Sequence, residues 1–185
     1  LSVSASLIAG ILGCIIAYIT ERRKPKGAFL LDMAVMAPFI LPGTVVAVAI
    51  LATFGSGSIA LRGTYTIIII AYVVRRTPYV YRSVVASLTQ LNPTLEEASW
   101  ISGANWLYTF RRVSLPLILP AVITGMILTF TTLLQELSTT ILLYSAKTRT
   151  VPIQIYGAVA DGKFGEASAL SVLLIVTVFV IVYAV

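Results

Sequence analysis

The chain has 185 residues, 58% of them hydrophobic and only 11% charged, where a soluble domain carries about 25% charged residues, so a water-soluble globular fold is excluded. A span needs roughly 20 apolar residues to cross about 30 Å of hydrocarbon, which leaves room for about five or six spans, short loops and no sizeable soluble domain. Thirteen Lys and Arg against seven Asp and Glu, a net charge of +6, read in such a chain as a surplus of cytoplasmic basic residues and not as a nucleic-acid surface. His is absent and Cys14 stands alone in an apolar run, so His-based catalysis, disulfides within the chain and thiolate metal clusters drop out, and no metal site is expected.

Hydropathy windows predict an all-α membrane protein with five spans, at 1–20, 28–54, 64–88, 115–135 and 167–185. The chain begins at Leu1 inside one apolar stretch and ends at Val185 inside another, and it reads as a single transmembrane domain cut from a longer protein. Leu1 to Thr20 lacks the basic leader and cleavage pattern of a signal peptide. In this first span Ser6 with Gly10, Ala9 with Gly13 and Gly13 with Ala17 form a small-residue ladder suited to close helix packing. Glu21-Arg22-Arg23-Lys24-Pro25-Lys26-Gly27 follows as a polar loop, and Gly55-Ser56-Gly57-Ser58 stops the second span. Pro38-Phe39-Ile40-Leu41-Pro42 in the second span and Pro116-Leu117-Ile118-Leu119-Pro120 in the fourth each remove backbone hydrogen bonds on one helical face, so both helices should bend or loosen there. The third span grows more polar from Arg75 to Leu88. Gln135 to Glu166 is too polar and too rich in Gly and Pro to cross lipid as a regular helix.

With alternating loops, nine of the thirteen basic residues, Arg22, Arg23, Lys24, Lys26, Arg75, Arg76, Arg82, Arg111 and Arg112, fall on one side. Arg62, Lys147, Arg149 and Lys163 fall on the other. The majority side is the cytoplasm by the positive-inside rule.

The loop at 90–114 is built as an elbow. Asn92 can cap a helix with Pro93 at its first position, or Thr94 and Glu97 can form a capping box. Gly103 supplies the left-handed residue that ends this helix, and Asn105 is placed to cap a second one. Trp106, Phe110 and Val113 then make a stripe leading into Leu115-Pro116. An interfacial amphipathic element and a docking knob for a cytoplasmic partner both fit this pattern. Glu97-Ala98-Ser99, three residues, Gly103, nine residues, then Val113-Ser114-Leu115-Pro116 resembles the EAA loop of ATP-binding cassette (ABC) importer permeases. That family has Glu-Ala-Ala, three residues, Gly, nine residues, Ile, one residue, Leu-Pro. Ser99 here replaces the second Ala and Val113 replaces Ile.

The resemblance extends over the five-span layout and implies a type I ABC importer permease core in the bacterial inner membrane. Thr94 to Ala104 would be the coupling helix, seated in a cleft of the ATPase subunit, with Glu97, Ala98, Ser99 and Gly103 at the contact and Val113, Leu115 and Pro116 setting the exit into the fourth span. The implied partners are two ATPase subunits carrying ATP and Mg, a second permease half or identical subunit, and an external solute-binding protein. The chain has no Gly-rich Lys-Ser/Thr phosphate loop, so it is expected to hold no cofactor and to hydrolyse no ATP.

Leu134-Gln135-Glu136-Leu137-Ser138-Thr139-Thr140 is the other unusual stretch, because an ionisable residue at the end of an apolar helix usually faces a bundle interior or water. Two readings stand: an interfacial carboxylate paired with Arg149 or Lys147, or a wall of the translocation path made by Gln135, Glu136, Ser138 and Thr139. The run from Glu136 to Leu143, followed by Thr150-Val151-Pro152-Ile153, is similar to the second half of ferric-iron permeases, relatives of thiamine and polyamine systems. Iron is the cargo this implies. No chelating set supports it, since Tyr144, Tyr156, Asp161 and Glu166 are scattered along the chain. The loop from Asp161 to Glu166 is a place for the external binding protein to touch. An ATP-independent secondary transporter, which would show paired repeats or several intramembrane charges, and a membrane scaffold or integral enzyme are the rival classes.

Overall fold

A computed structural model describes residues 1–56 and 60–183, and its regular structure is helical throughout. Helix α1 (Ser2–Tyr18) runs into a π-helical turn, Ile19–Arg23, that ends at Lys24 in a left-handed conformation with φ 42°. The elements that follow are α2 (Ala28–Ile40), α3 (Gly43–Phe54) and the long α4 (Tyr65–Gln90), then the short α5 (Thr94–Ile101) and α6 (Trp106–Thr109). A second π-helical turn, Phe110–Ser114, joins α6 to α7 (Leu115–Leu134), and α8 (Thr140–Leu143), α9 (Val151–Ala160) and α10 (Phe164–Tyr183) complete the chain.

The two proline pairs have different outcomes. At Leu41 and Pro42 the backbone is extended, with ψ of 142° and 140°, and α2 and α3 meet at 111°. A proline biases the residue before it away from helix, and here both hydrogen-bonding and steric continuity are lost at once. The segment 28–54 is therefore two helices of 13 and 12 residues and not one continuous rod. Each is about 20 Å long or less, too short to cross hydrocarbon alone. Residues Gly57 and Ser58 of the expected stop lie outside the described residues. Along the second pair, Trp106 to Leu134 forms one rod of 29 residues. Pro116 would clash with the carbonyl of Arg112 in a regular helix, and the wider π turn at Phe110–Ser114 gives that ring room. The loosening sits one turn before the prolines, and the helix carries on.

Helix α4 is the axis of the bundle, flanked by α1 and α7 with α2 and α3 beside it. The small-residue ladder explains the closeness: Ser6, Ala9, Gly10, Gly13 and Ala17 are all buried. A Cβ on Gly13 would lie 2.9 Å from Val80 Cβ, and one on Gly125 would lie 2.7 Å from Val80 Cα. Helices α1 and α7 thus close on the same residue of α4, and a single methyl at either glycine forces them apart. Helix α4 continues through Pro78 to Gln90, so the polar tail after Arg75 belongs to the same rod as the apolar start.

Buried apolar residues form two clusters. One gathers Ala5, Val46, Ala47, Ile67, Ile68, Ala71, Tyr72, Leu133 and Leu143; the other gathers Cys14, Ala17, Tyr18, Val80, Tyr81, Val84, Leu88, Ile118 and Val122. Between them on α4 lie Arg75, Arg76 and Thr77. Helices α9 and α10 pack as a hairpin through Gly162, φ 74°, and α10 meets the central bundle mainly at α7. The last helix starts at Phe164, earlier than the predicted 167, and its predicted end at Ala184 and Val185 lies outside the described residues. Within the stretch 135–166 the ten-residue α9 is regular, though at about 15 Å it is too short to cross lipid.

Candidate functional site

The elbow is held by a buried carboxylate that the sequence motif does not single out. Asn92 Oδ1 accepts the Thr94 N–H at 3.1 Å, which starts α5. Gly103 ends it at φ 83°, and Asn105 Oδ1 accepts the Tyr108 N–H at 2.9 Å, which starts α6. Glu96 then turns inward and is 6% exposed. It accepts from Ser114 Oγ at 2.7 Å and from Tyr18 Oη at 3.2 Å, and Arg22 Nε lies 3.3 Å away. Arg22 also donates to the Leu91 carbonyl at 2.9 Å. One side chain therefore ties α5 to α1 and to the π turn that opens the α7 rod. A charge so enclosed is stable only with its partner present.

Aromatic packing closes the rest of the corner. Trp106 stacks on Phe110 with centroids 6.1 Å apart, Tyr18 meets Phe110 edge-on at 4.8 Å, and the Arg23 guanidinium lies 4.9 Å above the Trp106 ring. Ser99 Oγ pairs with Thr109 Oγ1 at 2.9 Å. Of the motif residues, Ser99, Val113 and Leu115 are half-buried, while Glu97, Ala98, Gly103 and Pro116 are exposed. Leu95, Ala98, Ser102, Gly103 and Tyr108 line an open groove of about 780 Å³. Beside it Ile101 is 88% exposed and Trp100 50%. The elbow thus presents apolar side chains outward from a rigidly tied base.

A second buried carboxylate lies deep in the bundle. Glu136, 4% exposed, does not pair with Arg149 or Lys147. Its Oε1 accepts from Arg75 Nη1 at 2.6 Å, Ser138 Oγ at 2.7 Å, and the Thr139 N–H and Oγ1 at 3.1 Å. Its Oε2 accepts from Arg76 Nη2. Arg75 Nη1 also reaches Thr139 Oγ1 at 3.0 Å. A Cβ on Gly43 would run into Ser138 Oγ and lie 2.7 Å from Arg75 Nη1, so the glycine that opens α3 is what admits the guanidinium. At 1.5 Å per residue, the arginine pair stands about 15 Å along α4 from Tyr65 and about 21 Å from Gln90.

Two expectations need correction here. Arg75 and Arg76, counted among the basic residues of the cytoplasmic side, lie well inside α4 with side chains 17% and 14% exposed. Hydropathy windows register them as the polar end of a span, because a window cannot see the carboxylate they share, which comes from the turn between α7 and α8. Removing these two from the nine leaves seven basic residues on the majority side, against four, so the charge bias keeps its direction. Gln135, in turn, is exposed and separate from Glu136, Ser138 and Thr139; it lines a crevice with Leu174, Ile175 and Val178 of α10.

Tyr144, Asp161 and Glu166, distant in sequence, line one polar cavity of about 450 Å³ together with Arg149, Gln154 and Lys163, whereas Tyr156 is not part of its lining. Among the described residues no three acidic or Cys side chains are grouped to hold a metal ion.

Comparison with known proteins agrees with this architecture. Over residues 9–185 the chain matches the family described as binding-protein-dependent transport system inner membrane component. It is 33% identical over 178 residues to the ferric transport system permease protein FbpB of Actinobacillus pleuropneumoniae, an alignment covering 96% of this chain and 26% of that protein. It thus spans about a quarter of that relative's length. It is 29% identical over 194 residues to the sulfate transport system permease protein CysT of Salmonella typhimurium, covering 98% of this chain and 70% of the relative. The fold is similar to that of the MetNI methionine ABC transporter in inward-facing conformations, with a TM-score of 0.78 at 19% identity over 99% of this chain and 88% of the other. Matched along nearly its whole length, this all-helical bundle belongs to the family of binding-protein-dependent transport system inner membrane components and is a multi-pass membrane protein.

Proposed function

We propose that this chain is the membrane-spanning half of an ATP-driven importer and that its elbow, α5 to α6, receives the motion of an ATPase subunit. The observation that carries the reading is the pairing of an exposed apolar tip, Trp100 and Ile101, with a base tied through Glu96 to α1 and α7. A push on the tip passes through a buried ion pair and not through a flexible loop. Glu97, Ala98, Ser99 and Gly103 meet the ATPase cleft, and Val113, Leu115 and Pro116 set the angle at which α7 leaves the elbow. The elbow faces the cytoplasm of a bacterium and the membrane is the inner one, in line with the basic majority on that side.

Two ATPase subunits, holding ATP and Mg, close on two such elbows, one from this chain and one from a second permease half. Their closure switches the bundle from inward to outward access. An external binding protein then delivers solute, and hydrolysis resets the cycle. The polar wall of Glu136, Ser138 and Thr139 lies on the route. The cargo is ferric iron, supported by the 33% identity to a ferric permease over 96% of the chain.

The test is co-purification and uptake. A Gly103→Trp chain, folded in membranes, is expected to lose the stoichiometric ATPase and with it ATP-dependent uptake. Retention of the ATPase with full uptake, or uptake by the permease alone on an ion gradient, overturns the reading.

A further inference from the structure

The cluster around Glu136 is unbalanced. Two guanidiniums face one carboxylate, which leaves one surplus positive charge enclosed within the bundle, where low dielectric makes it expensive. The donors are unbalanced too. Each guanidinium offers five N–H groups, yet Arg76 Nε is buried with no hydrogen-bond partner, and Arg75 uses only Nη1 among the described residues. Ser138 Oγ, Thr139 Oγ1 and the Thr139 backbone N–H crowd Glu136 Oε1 beside Arg75 Nη1, while Oε2 accepts from Arg76 Nη2, so a single carboxylate is shared between two guanidiniums.

One contact leads from this cluster along α4 towards a largely apolar cavity. Arg76 Nη1 donates to Tyr79 Oη at 3.2 Å. Tyr79, Arg82 and Ser83 line a cavity of about 440 Å³ with Met36, Phe39 and Leu128. Asp32 is the acid near its far end, 3.6 Å from Arg82. Asp32 offsets Arg82, so the surplus positive charge stays at the Arg75–Arg76 pair. Charge-assisted bonds from guanidinium to a planar or tetrahedral oxyanion are the strongest use of such donors.

We propose that the Arg75–Arg76 pair is an anion-recognition site on the translocation route, and that solute crosses as an oxyanion or inside an anionic shell of carboxylate or similar oxygen ligands. This deepens the importer reading and rests on it. It fits ferric iron only as a chelate whose outer oxygens meet the arginines, since a bare trivalent cation is repelled by the surplus charge. Arg75, with Nε and Nη2 unused, makes the contact; Arg76 is chiefly committed to Glu136.

The assembled transporter, with its ATPase and binding protein in proteoliposomes, is tested for ATP-driven uptake of sulfate and of ferric citrate. The detergent-solubilised complex is titrated with sodium sulfate and with trisodium citrate against sodium chloride at matched ionic strength, following thermal unfolding. Saturable stabilisation by sulfate or citrate is expected in the native complex. Arg75→Gln should weaken that half-saturation by about tenfold or more, the loss of a charge-assisted bond, and Arg75→Lys should restore most of it. Arg75-dependence with sulfate points to a free oxyanion; dependence with citrate and ferric citrate alone points to a chelate shell. Equal response of native and Arg75→Gln complexes to both anions overturns the proposal, as does stabilisation by neither. If Gly103→Trp also leaves ATPase binding intact, the importer reading falls as well; if it releases the ATPase, only the anion site falls.

Discussion

Two buried carboxylates, Glu96 and Glu136, are built alike and differ in one respect. Both collect hydroxyl donors and arginine, and they sit towards opposite ends of the 29-residue rod that ends in α7. Glu96 meets one arginine, Arg22, and the charges cancel. Glu136 meets two, and they do not. Each node leaves one arginine Nε without a hydrogen-bond partner, so the difference lies in net charge: the balanced node serves as a rigid joint, and the unbalanced one keeps an electrostatic demand that another anion can meet. The same chemistry thus supports force transmission at one end and solute recognition at the other.

The largest expected effect separates the two nodes directly. Glu136→Ala strands two enclosed guanidiniums and Glu96→Ala strands one, and removing one partner of a buried pair costs about 3–5 kcal/mol. Thermal unfolding of the solubilised complex should therefore show a greater loss for Glu136→Ala; an equal loss, or the reverse order, breaks the distinction. Next in size is a double-mutant cycle. Arg22→Gln and Glu96→Gln together should be more stable than the sum of the single losses implies, with a coupling of about 1–3 kcal/mol. Arg75→Gln with Glu136→Gln should recover less, because Arg76 still lacks its carboxylate. Full recovery at both sites would show that the second arginine carries no burden.

The smallest effect belongs to the elbow's corner. No atom lies within 4 Å of a Cβ placed on Gly103, whose φ is 83°, so Gly103→Ala carries only the left-handed backbone penalty of about 1–2 kcal/mol. It should shift unfolding slightly while leaving the ATPase bound, in contrast to Gly103→Trp, whose bulk reaches into the docking surface. Loss of the ATPase in the alanine variant would mean that the turn, and not the clearance, governs docking.

Much of the local structure was readable along the chain. Asn92, Gly103 and Asn105 mark helix ends because capping is decided within a few residues, and the proline at 42 breaks its helix for the same local reason. The motif spacing led to the elbow but passed over Glu96, whose importance depends on Tyr18 of α1 and Arg22 of the π turn that follows it. Those two are spaced by four residues on one helical face, a signal available in the sequence but without meaning until a partner is known. Arg75 and Arg76 read as the polar cytoplasmic tail of the third span because hydropathy sums over neighbours in sequence, whereas the carboxylate they share comes from 60 and 61 positions away.

Composition and short-range pattern were enough to make this chain a helical membrane protein with an elbow at its basic end, since burial in lipid and helix capping are both local conditions. Tertiary structure alone decided which charges are enclosed and with what balance. That balance depends on helices far apart in sequence closing on α4, and Gly13 and Gly125 permit the closure because neither carries a methyl to hold the helices apart.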